Sequence, residues 1–285
     1  MSKLKVGVVV LNFKKYEETE LCVNSLLEQK KIEVSIVIVD NGSENESINY
    51  LKQKFDGNFR VHIIGLEDNV GYAKGNNVGI KYLRKRGYEY ICIANSDIIL
   101  STDKIIYQMV NGYDKKIGVI LPIIENLDGT QDQRVVYQKR LISLRIAKAI
   151  LIRQRIIHRK RKEKLKEVKA DISNNQKYYG VQTNQYVITG SIFMLTPDFF
   201  EIYNQLFPET FLYFEEWATI IYLYKAKLEC NIVNTDVVIH KGGASTPNNM
   251  KNYSRDKEIM IAQSARKVGK LLFMSSKKIA RKYNF

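Results

Sequence analysis

Four short stretches of this chain carry side chains whose type and placement suit chemistry. In Asn95-Ser96-Asp97 a carboxylate follows directly on the apolar run 90–94. A carboxylate at the end of a buried strand can hold Mg or Mn, which take oxygen ligands, and such an ion can bridge a diphosphate. Phe211-Leu212-Tyr213-Phe214-Glu215-Glu216-Trp217 sets two adjacent acids among aromatics. Partial desolvation there raises a carboxyl pKa and suits a general base. Between Asp68 and Gly79, the glycines Gly71, Gly75 and Gly79 recur every four residues near the start of a helix. His240 closes a strand-like run and is followed by Lys241-Gly242-Gly243-Ala244-Ser245.

Each stretch also has a plainer explanation. An Asx turn accounts for Asn95-x-Asp97. Acids are favoured at a helix N-terminus by the macrodipole, and a lone histidine is often structural. Glycine inside a helix costs about 1 kcal/mol against alanine, so three of them require a reason. They allow either a helix to close on a sheet or backbone amides to approach a phosphate-bearing ligand. Their spacing is neither G-x-G-x-x-G nor G-x-x-x-x-G-K-[ST], which argues against a dinucleotide fold and a P-loop.

These side chains need elements to stand on, and the first hundred residues supply them. Apolar β-branched runs at 5–11, 33–39, 60–65 and 90–94 predict strands; 17–29, 47–55 and 73–85 predict helices. This alternation predicts an α/β fold with a mostly parallel, doubly wound sheet. Asn12, Asp40-Asn41 and Asn95-Ser96-Asp97 each follow a strand run, and open α/β sheets bind ligands at the carboxyl ends of their strands. Further on, 104–111 predicts a helix, 118–124 and 186–195 strands, and Thr196-Pro197-Asp198 a helix start. The latter part of 210–227 predicts a helix, 231–239 a strand ending at His240, and the residues from Asn252 a basic helical tail.

The chain has 285 residues and a formal charge of +15, concentrated in two segments. Residues 145–169 hold eleven Lys or Arg against Glu163 and Glu167, and no acid follows Glu258. Residues 141–157 place Ile142, Ile146, Ala149, Ile150 and Ile157 near one helical face, a basic amphipathic pattern that suits an anionic membrane surface. Aromatics do not interleave the basic runs and no nucleic-acid motif is present, so nucleic acid is not the expected partner. Cys22, Cys92 and Cys230 stand singly in apolar stretches, as buried thiols do. There is no signal-peptide pattern, and no apolar run reaches the roughly 18 residues of a membrane span. The expectation is a cytoplasmic protein, peripheral at the inner face of the plasma membrane through residues 141–169 and the basic C-terminal tail.

In order along the chain, several motifs resemble those of family 2 of the inverting glycosyltransferases, in particular its bacterial rhamnosyl- and galactofuranosyltransferase branch. The motifs are the opening run 6–12, Val39-Asp40-Asn41-Gly42-Ser43, Asn69-Val70-Gly71 with Gly75-Asn76-Asn77-Val78-Gly79, and Asn95-Ser96-Asp97. Thr189-Gly190-Ser191, Phe214-Glu215-Glu216 and His240-Lys241-Gly242-Gly243-Ala244-Ser245 follow.

The resemblance implies a GT-A fold over 1–250, divided into a nucleotide-sugar half (1–100) and an acceptor half (101–250) that carries the basic insertion 141–169. Residues 251–285 form the basic tail. It implies a nucleotide-diphosphate sugar donor, dTDP-rhamnose before UDP-sugars, and a glycan or lipid-linked acceptor. Asn12, Asp40, Asn41, Asn69, Gly71, Lys74, Asn76, Asn95, Ser96 and Gly190 would line the donor site, with Asp40 on a pyrimidine base. Asp97 and His240 would hold Mn or Mg, Asn95 replacing the first acid of a D-x-D-type motif. Glu216 stands at the place of the catalytic base, where the family usually has Asp, and Glu215 is the reserve. The alternatives are a non-catalytic basic module that binds membrane or nucleic acid, and a nucleotidyltransferase on a similar sheet, which would carry a glycine-rich loop after its first strand. Asn12-Phe13-Lys14-Lys15 has none.

Overall fold

Val and Ile lose little freedom on a pleated surface and pack on both sides of it, so the β-branched runs become strands. The computed structural model describes residues 4–131, 135–137, 185–242 and 253–285. The basic insertion 141–169 and the Gly243-Ala244-Ser245 end of the histidine motif lie outside the described residues. Strands β1 (Lys5–Asn12), β2 (Glu33–Asp40), β3 (Val61–Gly65) and β4 (Tyr90–Asn95) pair in parallel in the order β3-β2-β1-β4. Successive side chains point to opposite faces. Val6, Val8, Val10, Ile36 and Ile38 enter one core, and Val9, Val37, Val39, Ile91 and Ile93 the other. Burial on both faces is why β1, β2 and β4 read as unbroken apolar runs.

Helices α1 (Tyr16–Leu27), α2 (Ser47–Lys54) and α4 (Ile105–Asn111) cover the first face through Cys22, Leu26, Leu51, Ile105 and Met109. Helix α3 (Tyr72–Arg84) covers the second through Ala73, Ile80 and Leu83. Its glycines answer the question the sequence posed. A Cβ on Gly75 would sit 2.6 Å from Leu11 Cδ1, and one on Gly79 2.5 Å from Val9 Cγ1. Both positions are small so that α3 can lie directly on β1.

The second half completes the sheet with β5 (Ile98–Leu100), β6 (Ile117–Asn126), β9 (Ile192–Leu195) and β10 (Glu229–His240). The full order is β3-β2-β1-β4-β9-β6-β10-β5, with β9 antiparallel to β4 and β6 and β5 antiparallel to β10. The predicted strand 186–195 is two strands. β8 (Gln185–Val187) pairs with β7 (Val135–Tyr137) in a separate ribbon, and β9 enters the main sheet. Between them the Thr189 hydroxyl accepts from the Ser191 N–H at 3.2 Å and turns the chain at Gly190. Such local side-chain bonds compete with a sheet ladder.

Thr196 caps α5 (Pro197–Phe200) as predicted, accepting from the Phe199 N–H. Helix α6 (Glu215–Ala226) adds Ala218, Ile220 and Ile221 to the second core. The residues after Asn252 are helical in three segments. They form α7 (Tyr253–Gly269), a 3₁₀ turn (Lys270–Phe273) and α8 (Ser276–Tyr283), which starts at the Ser275 cap. Val268, Leu271, Met274, Ile279 and Tyr283 are buried in the same core as α3 and α6. All three cysteines are buried free thiols. Among the described residues no helix is long and apolar enough to cross a membrane.

Candidate active site

Sheet register brings the chemistry-bearing strand ends to one edge. Asn12 is level with Asp40 across β1 and β2, and Leu11 with Asn95 across β1 and β4. On the other side, His240 pairs with Ile98, so β10 delivers the imidazole beside Asp97. Asp97 Oδ2 lies 3.4 Å from His240 Nε2, and the Lys241 N–H donates to the Asp97 carbonyl at 2.9 Å. The Asp97 side chain is 4% exposed and that of His240 18%. Two residues 143 positions apart in sequence thus face one another in a largely enclosed corner.

The pair fits a hard divalent cation. Two ligands each about 2.1 Å from a six-coordinate ion stand about 3 Å apart, close to the separation seen. Among the described residues no group of three or more His, Cys, Asp or Glu is arranged for a metal. A protein contribution of two ligands suits Mg-type sites, which complete their shell with phosphate oxygens and water.

Asp40 and its neighbours form a second group. The Asn12 amide donates to Asp40 Oδ2 at 3.2 Å, the Ser43 N–H donates to Asp40 Oδ1 at 2.9 Å, and Asp40 is 2% exposed. Asn12 Oδ1 accepts from the Thr19 hydroxyl at 2.8 Å, which ties β1 to α1. Asn41 is bonded to the turn before α3: its amide donates to Asn69 Oδ1 at 2.9 Å and its Oδ1 accepts from the Val70 N–H at 3.1 Å. Asn69 Oδ1 also accepts from the Gly71 N–H at 2.9 Å. Gly71 has φ +88°, a left-handed conformation that side chains resist, and its α-carbon faces the Phe211 backbone.

The remaining candidates are dispersed around these groups. Lys74 is exposed on the first turn of α3. Asn76 is fully buried, its amide donating to the Tyr72 carbonyl at 3.0 Å, while its Oδ1 has no hydrogen-bond partner among the described residues. Asn95 is fixed through its backbone, its N–H donating to the Ser191 carbonyl at 2.8 Å and its carbonyl accepting from Cys22 Sγ. Ser96 is buried beside it.

The paired glutamates open α6, preceded by Tyr213 and Phe214 at φ +70° and +72°. Consecutive left-handed non-glycine residues are strained, and the tertiary structure must hold them. The Phe211 carbonyl accepts from the Tyr72 N–H at 2.8 Å and the Leu212 carbonyl from the Ser264 hydroxyl at 2.8 Å, anchoring the segment to α3 and α7. Glu216 lies beside Gly190, where a Cβ would meet Glu216 Oε1 at 2.8 Å. Gly190 is therefore small because a carboxylate occupies its side-chain space.

Tyr72, which sequence reasoning left without a role, completes this group. Its hydroxyl donates to the Gly190 carbonyl at 2.8 Å. Burial, and after it the neighbouring Glu216, holds the phenol well above its usual pKa, so Tyr72 stays a donor at neutral pH. Its place directly after Gly71 in the motif was the available signal.

The two glutamates differ in environment. Glu215 Oε1 is enclosed with no hydrogen-bond partner among the described residues, and burial, then the Glu216 charge, pushes its pKa up to about 8. Near neutrality it is a neutral acid, unsuited to accept a proton. A carboxyl whose folded pKa is raised binds more protons folded than unfolded between pH 4.5 and about 8, so stability falls as pH rises through that window. Glu215→Gln is expected to match wild type at pH 4.5 and to exceed it by up to about 4 kcal/mol at pH 8. Urea unfolding at the two pH values checks this; equal pH slopes for both proteins would refute it.

The family described as Glycosyl transferase family 2 matches residues 7–181. Among solved structures, the mannosyltransferase PcManGT from Pyrobaculum calidifontis, in complex with GDP-Man and Mn2+, superimposes with a TM-score of 0.58 at 12% identity. The match covers 99% of this chain and 68% of that one. S. aureus TarS 1-349, in complex with UDP, gives a TM-score of 0.55 at 15% identity, over 84% of this chain and 61% of its own. None of the curated proteins matches the sequence.

Proposed function

The chain belongs to glycosyl transferase family 2 and has the GT-A fold, and from that premise we propose that it transfers a sugar with inversion from a nucleotide-diphosphate donor. The observation that carries the reading is the convergence at one sheet edge of two groups. One is the Asp97–His240 pair, 3.4 Å apart; the other is Glu216 against Gly190.

In this mechanism Glu216 takes the proton of an acceptor hydroxyl as its oxygen attacks the anomeric carbon. The bond from that carbon to the diphosphate oxygen breaks on the opposite face. Glu215, enclosed and neutral near neutrality, is not suited to take that proton. Tyr72 holds the Gly190 carbonyl and so fixes the wall against which the base rests. Asp97 and His240 would hold Mn or Mg, which when bound neutralises charge on the departing nucleoside diphosphate. Much of the acceleration then comes from positioning.

Asn12, Asp40, Asn41, Asn69, Gly71, Lys74, Asn76, Asn95, Ser96 and Gly190 are assigned to the donor side, Asp40 to the base. The motifs favour dTDP-rhamnose, with UDP-sugars next, and a glycan or lipid-linked acceptor of bacterial surface polysaccharide synthesis, reached at the inner face of the membrane. PcManGT and TarS were solved with GDP-Man and UDP respectively.

The test is the product's anomeric configuration by NMR, after screening dTDP-, UDP- and GDP-sugars for turnover. Inversion is expected with whichever donor reacts. Retained configuration would overturn the assignment of Glu216 as base.

A further inference from the structure

We propose that the corner formed by the 3₁₀ turn and α8 docks on an anionic lipid surface. Phe273 is 89% exposed at this corner. Its neighbours Leu271 and Met274 are buried in the domain core, and the Leu272 carbonyl accepts from Lys225 Nζ at 2.7 Å. The turn is thus anchored on both sides of Phe273, and the ring is held out in water by the fold.

The surroundings of that ring are cationic. Residues three apart eclipse in a 3₁₀ helix, so Lys270 shares the side of Phe273. Arg266 lies one turn earlier on the outer face of α7. In α8, Ile279 and Tyr283 are buried on one face, while Lys277, Lys278 and Arg281 are exposed on another, at the three- and four-residue spacing that makes neighbours on a helix. None of Arg266, Lys270, Lys277, Lys278 and Arg281 forms an ion pair with a described acid. Lys282 does, with Glu209 at 3.5 Å. No acidic residue follows Glu258 in the sequence.

An exposed aromatic beside exposed cations that pair with no described acid is complementary to an interface where lipid phosphates lie over acyl chains. Single-stranded nucleic acid, the other polyanion, is held in grooves with successive stacking platforms. Here Phe273 is one exposed ring rather than a run of stacking platforms, which favours lipid. The inference does not depend on the reaction proposed above.

The test is co-sedimentation of the full chain with vesicles of phosphatidylcholine, alone or mixed with phosphatidylglycerol. Binding is expected to the mixed vesicles only and to weaken with salt. Lysine near an anionic surface contributes about fivefold in affinity, so Lys277→Gln/Lys278→Gln/Arg281→Gln should bind about a hundredfold more weakly. Phe273→Ser should weaken binding about tenfold while leaving the salt dependence in place. All four side chains are exposed, so the thermal midpoint should not move. Absence of wild-type binding to the mixed vesicles would overturn the proposal. So would variants that bind as tightly as wild type, which would hand the contact to another part of the chain. Displacement of the vesicles by an equal charge of single-stranded RNA would assign the corner to nucleic acid instead.

Discussion

Replacing Glu216 by Gln lowers kcat by about a thousandfold and leaves donor affinity within about twofold of wild type. The amide keeps the shape that fills the space beside Gly190 but cannot accept a proton. Proton removal at a positioned side chain contributes about 10² to 10⁴ in rate, and the loss should appear in kcat because the acceptor hydroxyl ionises only as the bond forms. Glu215→Gln is the matched control. That carboxyl, pushed up to about 8, is already neutral at pH 7, so its amide should keep activity within a few-fold. A reversed result, Glu215→Gln inactive and Glu216→Gln active, would exchange the two roles. Steady-state kinetics on the two variants, with nucleotide titrations alongside, reads out the difference.

Replacing Gly71 by Ala destabilises the protein by about 3 to 5 kcal/mol and lowers activity in the fraction that folds. Two costs combine at this residue. Its φ of +88° with ψ of 172° lies in a region essentially reserved for glycine and penalises any side chain by about 1 to 3 kcal/mol. The new methyl would also meet Phe211 Cα at 2.8 Å and the Phe211 carbonyl carbon at 2.9 Å. Backbone cannot rotate away as a side chain can, so the segment 211–214 must shift, and with it the start of α6 that carries Glu216. Gly87→Ala separates the terms. Gly87 has φ +79° with nothing within 4 Å of the added carbon, so it should lose only the conformational cost of about 1 to 2 kcal/mol. Urea unfolding of both variants checks this, and equal losses at the two positions would remove the steric argument.

The sequence displayed the elements that position the site because β1, β2 and β4 are buried on both faces. A run such as Val6-Gly7-Val8-Val9-Val10 has no other reading in a chain that alternates with helical segments. The polar residues Asp40, Asp97 and His240 were legible for the same reason, as abrupt ends to apolar runs. β5 was not legible: Ile98-Ile99-Leu100 is too short to show a period, yet it provides the register that sets His240 beside Asp97. β9 was hidden by its continuity with β8, since the turn at Thr189–Ser191 depends on a hydroxyl-to-backbone bond. The contact between Gly190 and Glu216, and the Tyr72 hydroxyl that braces it, joins three distant stretches. No local pattern encodes such a meeting. Asn41 and Asn69, placed on the donor side by motif, have amides engaged with the turn that presents Gly71. A polar residue at a strand end can thus shape a site by holding its wall.

In the proposed reaction Asp97, with His240, holds the donor's diphosphate end while Glu216 serves only the proton. Calorimetric titration of dTDP, UDP and GDP, each with and without Mn, into wild type, Glu216→Gln and Asp97→Ala tests it most directly. Metal-dependent binding of one nucleotide is expected for wild type and Glu216→Gln and should be lost in Asp97→Ala. Undiminished binding to Asp97→Ala, or no nucleotide binding to folded wild type, would contradict it.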